Sequence, residues 1–469
     1  MRILIAGKWI DRKEKIEVKN PFNDKTVDTI PLATPEDIDR AVDSAKLGLK
    51  EIGELSSYER YEILFRTANL IEERCDEFAK TIALESGKRI EEASTEVARA
   101  VQTFTLSAEE SKRIYGETIP YDSVPYGKSK YGFYIRVPVG IIAAITPFNF
   151  PLNLVAHKVG PAIAAANAII LKPSSITPLT ALLLGKALLD AGLPKNVLSI
   201  VPGPGKIVGD SLVSHEGIRM ITFTGSLDIA KRITKMAGFK KILIEAGSNS
   251  ACVVMDDADL EIASTRIVKG AFALAGQVCI SVQRAFVQSD VFDKFLDTFI
   301  PKVNALKVGD QFGDADIGPM ISKDAASRAR EWVDEAISEG AKILTGGKVQ
   351  DTLFEPTVLT NVPRDAKIYR EEAFAPVVTV EKFDTIDAAI ELVNDTKYGL
   401  QAGIFTKDLG IAKQAIDKFD VGGIEVGDVP TFRADPMPYG GMKFSGLGRE
   451  GPKFTIEEMT EIKAICIEG

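Results

Sequence analysis

Cys279 is the residue of this chain best suited to act as a nucleophile. Within residues 271–284, an apolar run that predicts the end of a helix leads into Gly276, Gln277, Val278 and Cys279, and a predicted strand follows. A thiol in a glycine-containing joint between a helix and a strand can be exposed at the edge of a domain. The alternative is a buried cysteine that packs as a small hydrophobic residue, since the reactivity of a thiol depends on a lowered pKa.

Four predicted strands upstream of this thiol end in polar residues that could serve a reaction. Asn149 follows the first strand, and its amide could donate a hydrogen bond to an oxyanion. Lys172, at the end of the second, could bind a ribose or a phosphate. Gly225 and Ser226, after the fourth, open a helix whose backbone N–H groups could bind a phosphate. Glu245, at the end of the fifth, would be desolvated in a crevice, which raises the pKa of a carboxylate and suits it to general-base work. Each of these residues, considered alone, is also common in a turn, at a helix cap or at a solvated strand end.

These residues lie on a repeated pattern of strand and helix. Short apolar strands are predicted at 139–145, 168–172, 197–201, 219–223 and 241–246, with helices between them at about 152–167, 177–191, 206–213 and 226–237. Such alternation indicates a parallel sheet covered on both faces, and ligands bind at the carboxyl ends of its strands. Residues 259–430 repeat the alternation, with strands at 284–288, 376–382, 401–405 and 422–426. The predicted fold class is therefore α/β, with two doubly wound parallel-sheet domains.

Three segments fall outside this alternation. Residues 1–30 predict two short strands, with a turn at Asn23 and Asp24. Residues 117–138 are rich in Tyr and Pro, and they predict a hairpin that projects from the body of the molecule. The chain ends in a glycine-rich loop, a short helix and a final strand.

Composition excludes several classes of protein. The 469 residues are 45% hydrophobic and 26% charged, which is typical of a globular protein. The net charge of −9, without a run of five like charges, gives no reason to expect nucleic acid. The apolar stretches are shorter than the roughly 18 residues of a membrane helix or carry polar residues, and residues 1–10 do not resemble a signal peptide. The four cysteines lack metal or disulfide spacing, so we expect no metal and a reducing cytoplasm.

Seven motifs together resemble the aldehyde dehydrogenase superfamily. TPFNFP, LKPS, FTGS, the Glu before Gly247, GQVC, EEAFAP and PYGGMKFSGLGRE occur in the order and spacing of that family over nearly the whole chain. The stretches FPLNLVAHK, GQVCISVQR and TFRADPMPYGG are most similar to the branch that oxidises small hydroxyaldehydes, such as lactaldehyde, glyceraldehyde or its 3-phosphate. The arginine that phosphate-specific members place just before the cysteine is Val278 here, which weakens the phosphorylated option. The resemblance implies NAD(P)-dependent oxidation of a small aldehyde to the carboxylate.

The resemblance also implies roles for individual residues. Cys279 would form a thiohemiacetal and then a thioester, Asn149 and the Cys279 N–H would form the oxyanion hole, and Glu245 would activate water. The residues that match cofactor-binding positions or adjoin them are Thr146, Pro147, Phe148, Lys172, Ser174, Ser175, Gly205, Phe223, Thr224, Gly225, Ser226, Ala246, Gly247, Glu372 and Phe374. The expected substrate pocket comprises Leu154, His157, Val278, Ile280, Phe432 and Arg433.

Cofactor choice, domains and assembly are further expectations from the resemblance. Ser175 stands where NAD-using members commonly have Glu, so we expect NADP to be preferred and NAD to be possible. The expected division is a Rossmann-like cofactor domain (1–116 and 139–246), a catalytic domain (247–440) and an oligomerisation arm (117–138 and 455–469). Family members pair through such arms, so we expect a homo-oligomer, either a dimer or a tetramer. Ala246, Ser248 and Ala230 depart from the family pattern and bear on loop geometry.

Three alternatives stay open at this point. A CoA-acylating semialdehyde dehydrogenase would pass the acyl group to CoA, but such enzymes usually lack a base at the position of Glu245. A succinate-semialdehyde type of dehydrogenase differs only in its substrate. A binding protein on a dehydrogenase scaffold would typically have lost Cys279 or Glu245, and both are present.

Overall fold

A computed structural model describes residues 1–468 of the chain. Its helices are α1 (Pro35–Glu54), α2 (Ser57–Glu73), α3 (Cys75–Ser86), α4 (Ile90–Ser111), α5 (Asn153–Ala164), α6 (Leu179–Asp190), α7 (Asp210–Ser214), α8 (Leu227–Met236), α9 (Leu260–Phe272), α10 (Phe292–Asn304), α11 (Lys323–Ser338), α12 (Lys367–Arg370), α13 (Ile386–Asn394), α14 (Leu409–Lys418) and α15 (Pro452–Glu458). Its strands are β1 (Ile3–Ile5), β2 (Lys8–Ile10), β3 (Lys15–Lys19), β4 (Thr26–Pro31), β5 (Thr118–Ile119), β6 (Lys130–Pro138), β7 (Ile141–Ile145), β8 (Ala168–Lys172), β9 (Leu198–Ile200), β10 (Met220–Thr224), β11 (Lys241–Glu245), β12 (Ala251–Val254), β13 (Arg284–Gln288), β14 (Lys342–Thr345), β15 (Val349–Gln350), β16 (Leu353–Phe354), β17 (Thr357–Thr360), β18 (Val377–Phe383), β19 (Gln401–Phe405), β20 (Gly423–Val426), β21 (Gly446–Leu447) and β22 (Thr460–Glu468).

The first sheet has the strand order β2-β1-β9-β8-β7-β10-β11-β21. Its five central strands, β9 to β11 in that order, are parallel, and the strands at both edges pair antiparallel. The central strands are apolar and largely buried because helices cover both faces of the sheet, with a separate hydrophobic core on each. Their carboxyl ends therefore meet at one edge, where Lys172, Thr224 and Glu245 are the last strand residues.

The second sheet has the strand order β14-β17-β18-β13-β12-β19-β20. The strands from β17 to β20 are parallel and β14 is antiparallel. One continuous hydrophobic core surrounds this sheet, with Phe286, Phe295 and Phe299 among its fully buried side chains. The two sheets, each wound on both faces, confirm the predicted α/β class.

A small third sheet is formed by β5, β6 and β22. Strand β6 pairs antiparallel with β22 over nine residues, so the end of the chain completes a sheet begun more than 300 residues earlier. Apolar side chains of this sheet, including Tyr131 and Ile462, are exposed. In the described part of the chain, no helix is long and apolar enough to cross a membrane.

The structure departs from the predicted elements in two of the segments outside the alternation. Residues 1–30 form two hairpins, β1–β2 and β3–β4, where one strand was predicted for each half. A left-handed turn at Ala6 and Gly7 divides the first of them, and the expected turn at Asn23 and Asp24 divides the second. The segment 117–138 contributes only a two-residue β5 beside the long β6. The principal partner of β6 is β22, which local sequence does not indicate.

Candidate active site

A cavity of about 250 Å³ lies between the carboxyl edge of the first sheet and loops of the second unit. Three predicted catalytic residues, Cys279, Glu245 and Asn149, line it together. Other predicted residues that line it are Pro147, Phe148, Leu154, Thr224, Gly225, Ser226, Gly247, Glu372 and Phe374. Segments separated by more than 200 residues of sequence thus converge on one cleft.

The thiol of Cys279 is partly buried and lies 2.9 Å from the hydroxyl of Tyr439. Burial raises the pKa of this thiol to about 11, while the Tyr439 hydroxyl and the Arg433 guanidinium lower it. The carboxylates of Glu245 and Glu372 oppose its ionisation. The reactivity of Cys279 therefore depends on how far Tyr439 and Arg433 offset burial and the two carboxylates.

An unusual backbone presents Cys279. Leu274, Ala275 and Gly276 adopt left-handed conformations in succession, with φ of 50°, 53° and 68°. A Cβ at Gly276 would lie 2.0 Å from the carbonyl oxygen of Ala375, so only glycine fits there. Two side chains brace this run: Glu92 accepts a hydrogen bond from the Leu274 N–H at 2.9 Å, and the Gln277 amide donates to the Leu274 carbonyl. Strained loops of this kind occur where a functional side chain must be aimed.

Asn149 is fixed beside the nucleophile loop. Its amide nitrogen donates a hydrogen bond to the Gln277 carbonyl oxygen at 2.9 Å. An amide nitrogen carries two hydrogens, so this bond leaves one donor for a group in the cavity. Such a donor, held by a buried side chain, suits the stabilisation of an oxyanion formed next to Cys279.

Glu245 is a buried carboxyl group at the end of β11. Neither of its oxygens has a hydrogen-bond partner within residues 1–468. Burial raises the pKa of Glu245 well above its usual range, and the nearby negative charge of Glu450 adds to this effect. An unpartnered carboxylate with a raised pKa is a good proton acceptor near neutral pH.

Behind the cavity lies a buried cluster of charges. Lys158 donates to Glu450 at 2.7 Å, and Arg433 contacts the same carboxylate at 3.4 Å. The Arg433 guanidinium also stacks on the ring of Tyr439, 3.6 Å from its centroid. The two cations hold the pKa of Glu450 well below its usual range despite complete burial.

The residues on the other side of the cavity suit a dinucleotide. Gly225 and Ser226 precede α8 and line the cavity, as a phosphate-binding helix start requires. Phe374 packs edge-on against Phe148, and Glu372 accepts a hydrogen bond from the Ser248 N–H at 3.0 Å. Burial raises the pKa of Glu372 to about 7.

A second cavity of about 290 Å³ contains Lys172 and Gly205, together with Lys206 and Arg232. Lys172 is only 6% exposed, and its ammonium group makes one long hydrogen bond, 3.4 Å, to the carbonyl of Pro173. Burial lowers the pKa of this ammonium to about 8. A buried, poorly partnered cation beside a cavity fits the ribose or phosphate of a nucleotide.

The other predicted cofactor residues do not line either cavity. Ser175 lies at a separate polar cleft, and its hydroxyl donates to the Gly203 carbonyl at 2.8 Å. Because this bond uses the hydroxyl hydrogen of Ser175, that hydrogen is not free to donate to a cofactor phosphate. Ser174 caps the turn that follows β8, and Phe223 packs under Gly225. Thr146 and Ala246 are buried beside the cavity-lining segments.

Leu154 lines the cavity, and the other five expected substrate-pocket residues are not part of its lining. His157 is fully buried and bonds to Asp435 at 2.9 Å, and Asp435 also pairs with Arg99. Val278 and Ile280 pack with Leu400 and Tyr439. Phe432 is half exposed, and Arg433 belongs to the buried charge cluster. Their place on helix α5 or next to a motif did not show which way their side chains point.

Three residues of this site were not predicted from the sequence. Arg328 lines the first cavity and donates to the Ala373 carbonyl at 3.1 Å. Tyr439 contacts the thiol, and Glu92 holds the nucleophile loop. Tyr439 lies inside the PYGG motif and was a possible candidate, whereas Arg328 and Glu92 lie on helices without any local signal.

Comparisons with known proteins show which family the chain is similar to. The model of the aldehyde dehydrogenase family matches residues 9–465. A 3-sulfolactaldehyde dehydrogenase of Priestia aryabhattai is 46% identical over 99% of this chain and 97% of its own length. A lactaldehyde dehydrogenase of Methanocaldococcus jannaschii is 42% identical over 99% of this chain and 100% of its own. The solved structure of glyceraldehyde-3-phosphate dehydrogenase GapN from Methanocaldococcus jannaschii, complexed with NADP, is 41% identical and superposes with a TM-score of 0.94, covering 98% of this chain and 100% of that one.

Proposed function

The chain belongs to the aldehyde dehydrogenase family, and we propose that this enzyme oxidises a short hydroxyaldehyde, such as lactaldehyde or glyceraldehyde, to the carboxylate. The observation that best supports the reaction is the convergence of Cys279, Asn149 and Glu245 on one cavity. These groups are a nucleophile, an oxyanion donor and a base, which are the three that acyl transfer to water requires.

In the proposed mechanism, the Cys279 thiolate attacks the aldehyde carbon and the carbonyl π electrons move to oxygen. The second Asn149 amide hydrogen and the Cys279 backbone N–H stabilise this oxyanion. When bound, the nicotinamide supplies the hydride acceptor for this oxidation, after which Cys279 carries the acyl group as a thioester. Glu245 then takes a proton from water, hydroxide adds to the thioester carbon, and the C–S bond breaks to release the acid and the thiolate.

The family uses NAD or NADP, and NADP is the proposed preference of this enzyme. Lys172 would hold the adenosine ribose and its phosphate, and Ser226 the pyrophosphate. Glu372 and Phe374 would hold the nicotinamide ribose and ring. The absence of a carboxylate at Ser175 and the cations Lys172 and Lys206 at the second cavity support the binding of an extra phosphate.

Each of the three main sheets belongs to a segment with its own proposed function. Residues 1–116 and 139–246 would bind the cofactor, residues 247–440 would carry the nucleophile, and residues 117–138 with 455–469 would pair subunits into a dimer or tetramer. The exposed apolar residues of the small sheet support the last assignment, because exposed apolar patches mark sites of association with another chain.

The size of the cavity and the names of the relatives support a short, polar substrate. The relatives are named for lactaldehyde, 3-sulfolactaldehyde and glyceraldehyde 3-phosphate. Succinate semialdehyde is a competing substrate of similar length. Transfer of the acyl group to CoA is disfavoured because the buried Glu245 can activate water, which then accepts the acyl group instead of CoA.

The test is a panel of aldehydes assayed with each cofactor. Lactaldehyde, glyceraldehyde, glyceraldehyde 3-phosphate, 3-sulfolactaldehyde, succinate semialdehyde and acetaldehyde would be compared by kcat/KM, with Cys279→Ala as the inactive control. We expect the hydroxyaldehydes to exceed acetaldehyde by about tenfold or more, because the hydroxyl adds a polar contact. A higher kcat/KM for succinate semialdehyde than for every hydroxyaldehyde would contradict the proposed substrate. A requirement for CoA would contradict the proposed hydrolysis.

A further inference from the structure

Tyr439 is the polar side chain in contact with the Cys279 sulfur. Its hydroxyl oxygen lies 2.9 Å from Sγ, which is short for a hydrogen bond to sulfur. Tyr439 is 2% exposed, and its backbone exchanges two hydrogen bonds with Glu450, which fix its position. The surrounding structure therefore holds the Tyr439 hydroxyl against the sulfur.

The environment of Tyr439 makes its hydroxyl a hydrogen-bond donor. Burial raises the pKa of Tyr439 well above 10, and the neighbouring Cys279 and Glu245 add to this effect. The hydroxyl thus keeps its proton at any pH at which the enzyme works. The Arg433 guanidinium, 3.6 Å from the ring centroid, covers the ring and places positive charge near the sulfur.

From this arrangement we propose that Tyr439 is a catalytic residue whose hydroxyl donates a hydrogen bond to the Cys279 thiolate and increases the fraction of enzyme that holds the thiolate at neutral pH. The proposal rests on the proposed function, since it assigns a further residue to the same nucleophile. Tyr439 and Arg433 favour the thiolate, while Glu245, at the end of β11, and Glu372, in the segment before β18, oppose it.

The steps balance without any added reagent. On ionisation the thiol proton passes to solvent, and Tyr439 retains its own. On attack a C–S bond forms, the negative charge moves from sulfur to the aldehyde oxygen, and the hydrogen bond from Tyr439 weakens. Tyr439 therefore stabilises the resting nucleophile, and Asn149 stabilises the oxyanion that follows.

The test is the pH dependence of Cys279 alkylation by iodoacetamide in the intact enzyme, with the labelled residue identified by peptide mapping. In Tyr439→Phe the midpoint of the curve of alkylation rate against pH should move upward by about one pH unit or more, because a hydrogen bond to a charged group is lost. The alkylation rate at neutral pH should therefore fall about tenfold. The limiting rate at high pH should not fall, since the unassisted thiolate is at least as nucleophilic. Tyr398→Phe is the matched control, because Tyr398 is buried but bonds to Glu371.

An unchanged midpoint in Tyr439→Phe would overturn the proposal. A loss of rate that is equal at every pH leaves the midpoint unchanged, and it would show that Tyr439 has a packing role. If this variant does not fold, 3-fluorotyrosine can replace all ten tyrosines of the chain. Fluorine makes a phenol a stronger donor, so the midpoint should then move downward, and an unchanged midpoint would again overturn the proposal. The assay uses neither aldehyde nor cofactor, so its outcome is independent of whether the proposed substrate is correct.

Discussion

The carboxylate of Glu92 accepts a hydrogen bond from the Leu274 backbone N–H at 2.9 Å, across 182 residues of chain. The same face of α4 makes two further contacts with the site. Glu96 accepts hydrogen bonds from two N–H groups at the start of α5, next to the Asn149 loop. Arg99 pairs with Asp435 at 2.8 Å, in the loop before Tyr439. Positions i, i+4 and i+7 of one helix thus hold three loops of the candidate active site.

Glu92→Ala should lower kcat by several-fold while the KM for the cofactor stays unchanged. The Leu274 N–H would lose its partner, and the left-handed run that aims Cys279 would loosen. Because the Arg89 N–H at the start of α4 also loses its acceptor, the free energy of unfolding should fall by about 1–2 kcal/mol. Steady-state kinetics and chemical denaturation measure both effects. Glu91→Ala is the matched control, because Glu91 is exposed and pairs only with Arg89. Equal kinetics in the two variants would show that the Glu92 contact does not position the nucleophile.

Glu245→Gln should slow deacylation more than oxidation. A burst of NAD(P)H should persist, followed by a steady-state rate lower by about 10²-fold, because water would lack its base. Rapid-mixing measurements resolve the burst from the steady state. Loss of the burst in proportion to the steady-state rate would instead indicate a structural role for Glu245.

The steady-state rate should rise with pH through the raised pKa of Glu245. A base acts in its deprotonated form, and burial favours the protonated carboxyl, so deacylation is suppressed below that pKa and is restored above it. The pH profile of kcat under conditions where deacylation is limiting measures this. A profile that keeps the same rise in Glu245→Gln would assign the ionisation to another group.

Ser175→Glu should move cofactor preference from NADP toward NAD by about tenfold or more. The new carboxylate would repel the 2′-phosphate of NADP, and like charges in a partly buried site repel by a few kcal/mol. The measurement is kcat/KM for each cofactor. Ile176→Glu places the same charge one residue further on and serves as the control. A wild type that favours NAD more than tenfold would contradict the proposed preference for NADP.

Sedimentation should show a dimer or tetramer rather than a monomer of 50.8 kDa at micromolar concentration. Ile462→Lys should weaken the assembly, because it places a charge on the exposed apolar surface of β22. Glu461→Lys, its exposed neighbour, tests whether added charge alone has this effect. A monomeric wild type would contradict the proposed role of the small sheet.

Strand patterns predicted the part of the site that depends on sheet topology. Asn149 follows an apolar strand and Glu245 ends one, so the parallel sheet brings them to one edge, as the sequence indicates. The contacts of Glu92 and Arg328 were not predictable, because a charged residue on an amphipathic helix looks the same whether it faces solvent or a distant loop. His157 lies on α5, as predicted, but it was expected to line the substrate pocket. Its side chain instead bonds to Asp435, which lies 278 residues away in the sequence.

The left-handed run before Cys279 has a consequence for the order of folding. Left-handed conformations cost about 1–2 kcal/mol for each residue with a side chain, so Leu274 and Ala275 will not hold them in an isolated chain. The stabilising partners come from Glu92 and from Ile321, whose N–H donates to Gln277. These contacts close long loops, which form late because their entropy cost precedes their gain. During refolding, helix and strand content should therefore return before the thiol reaches its native environment.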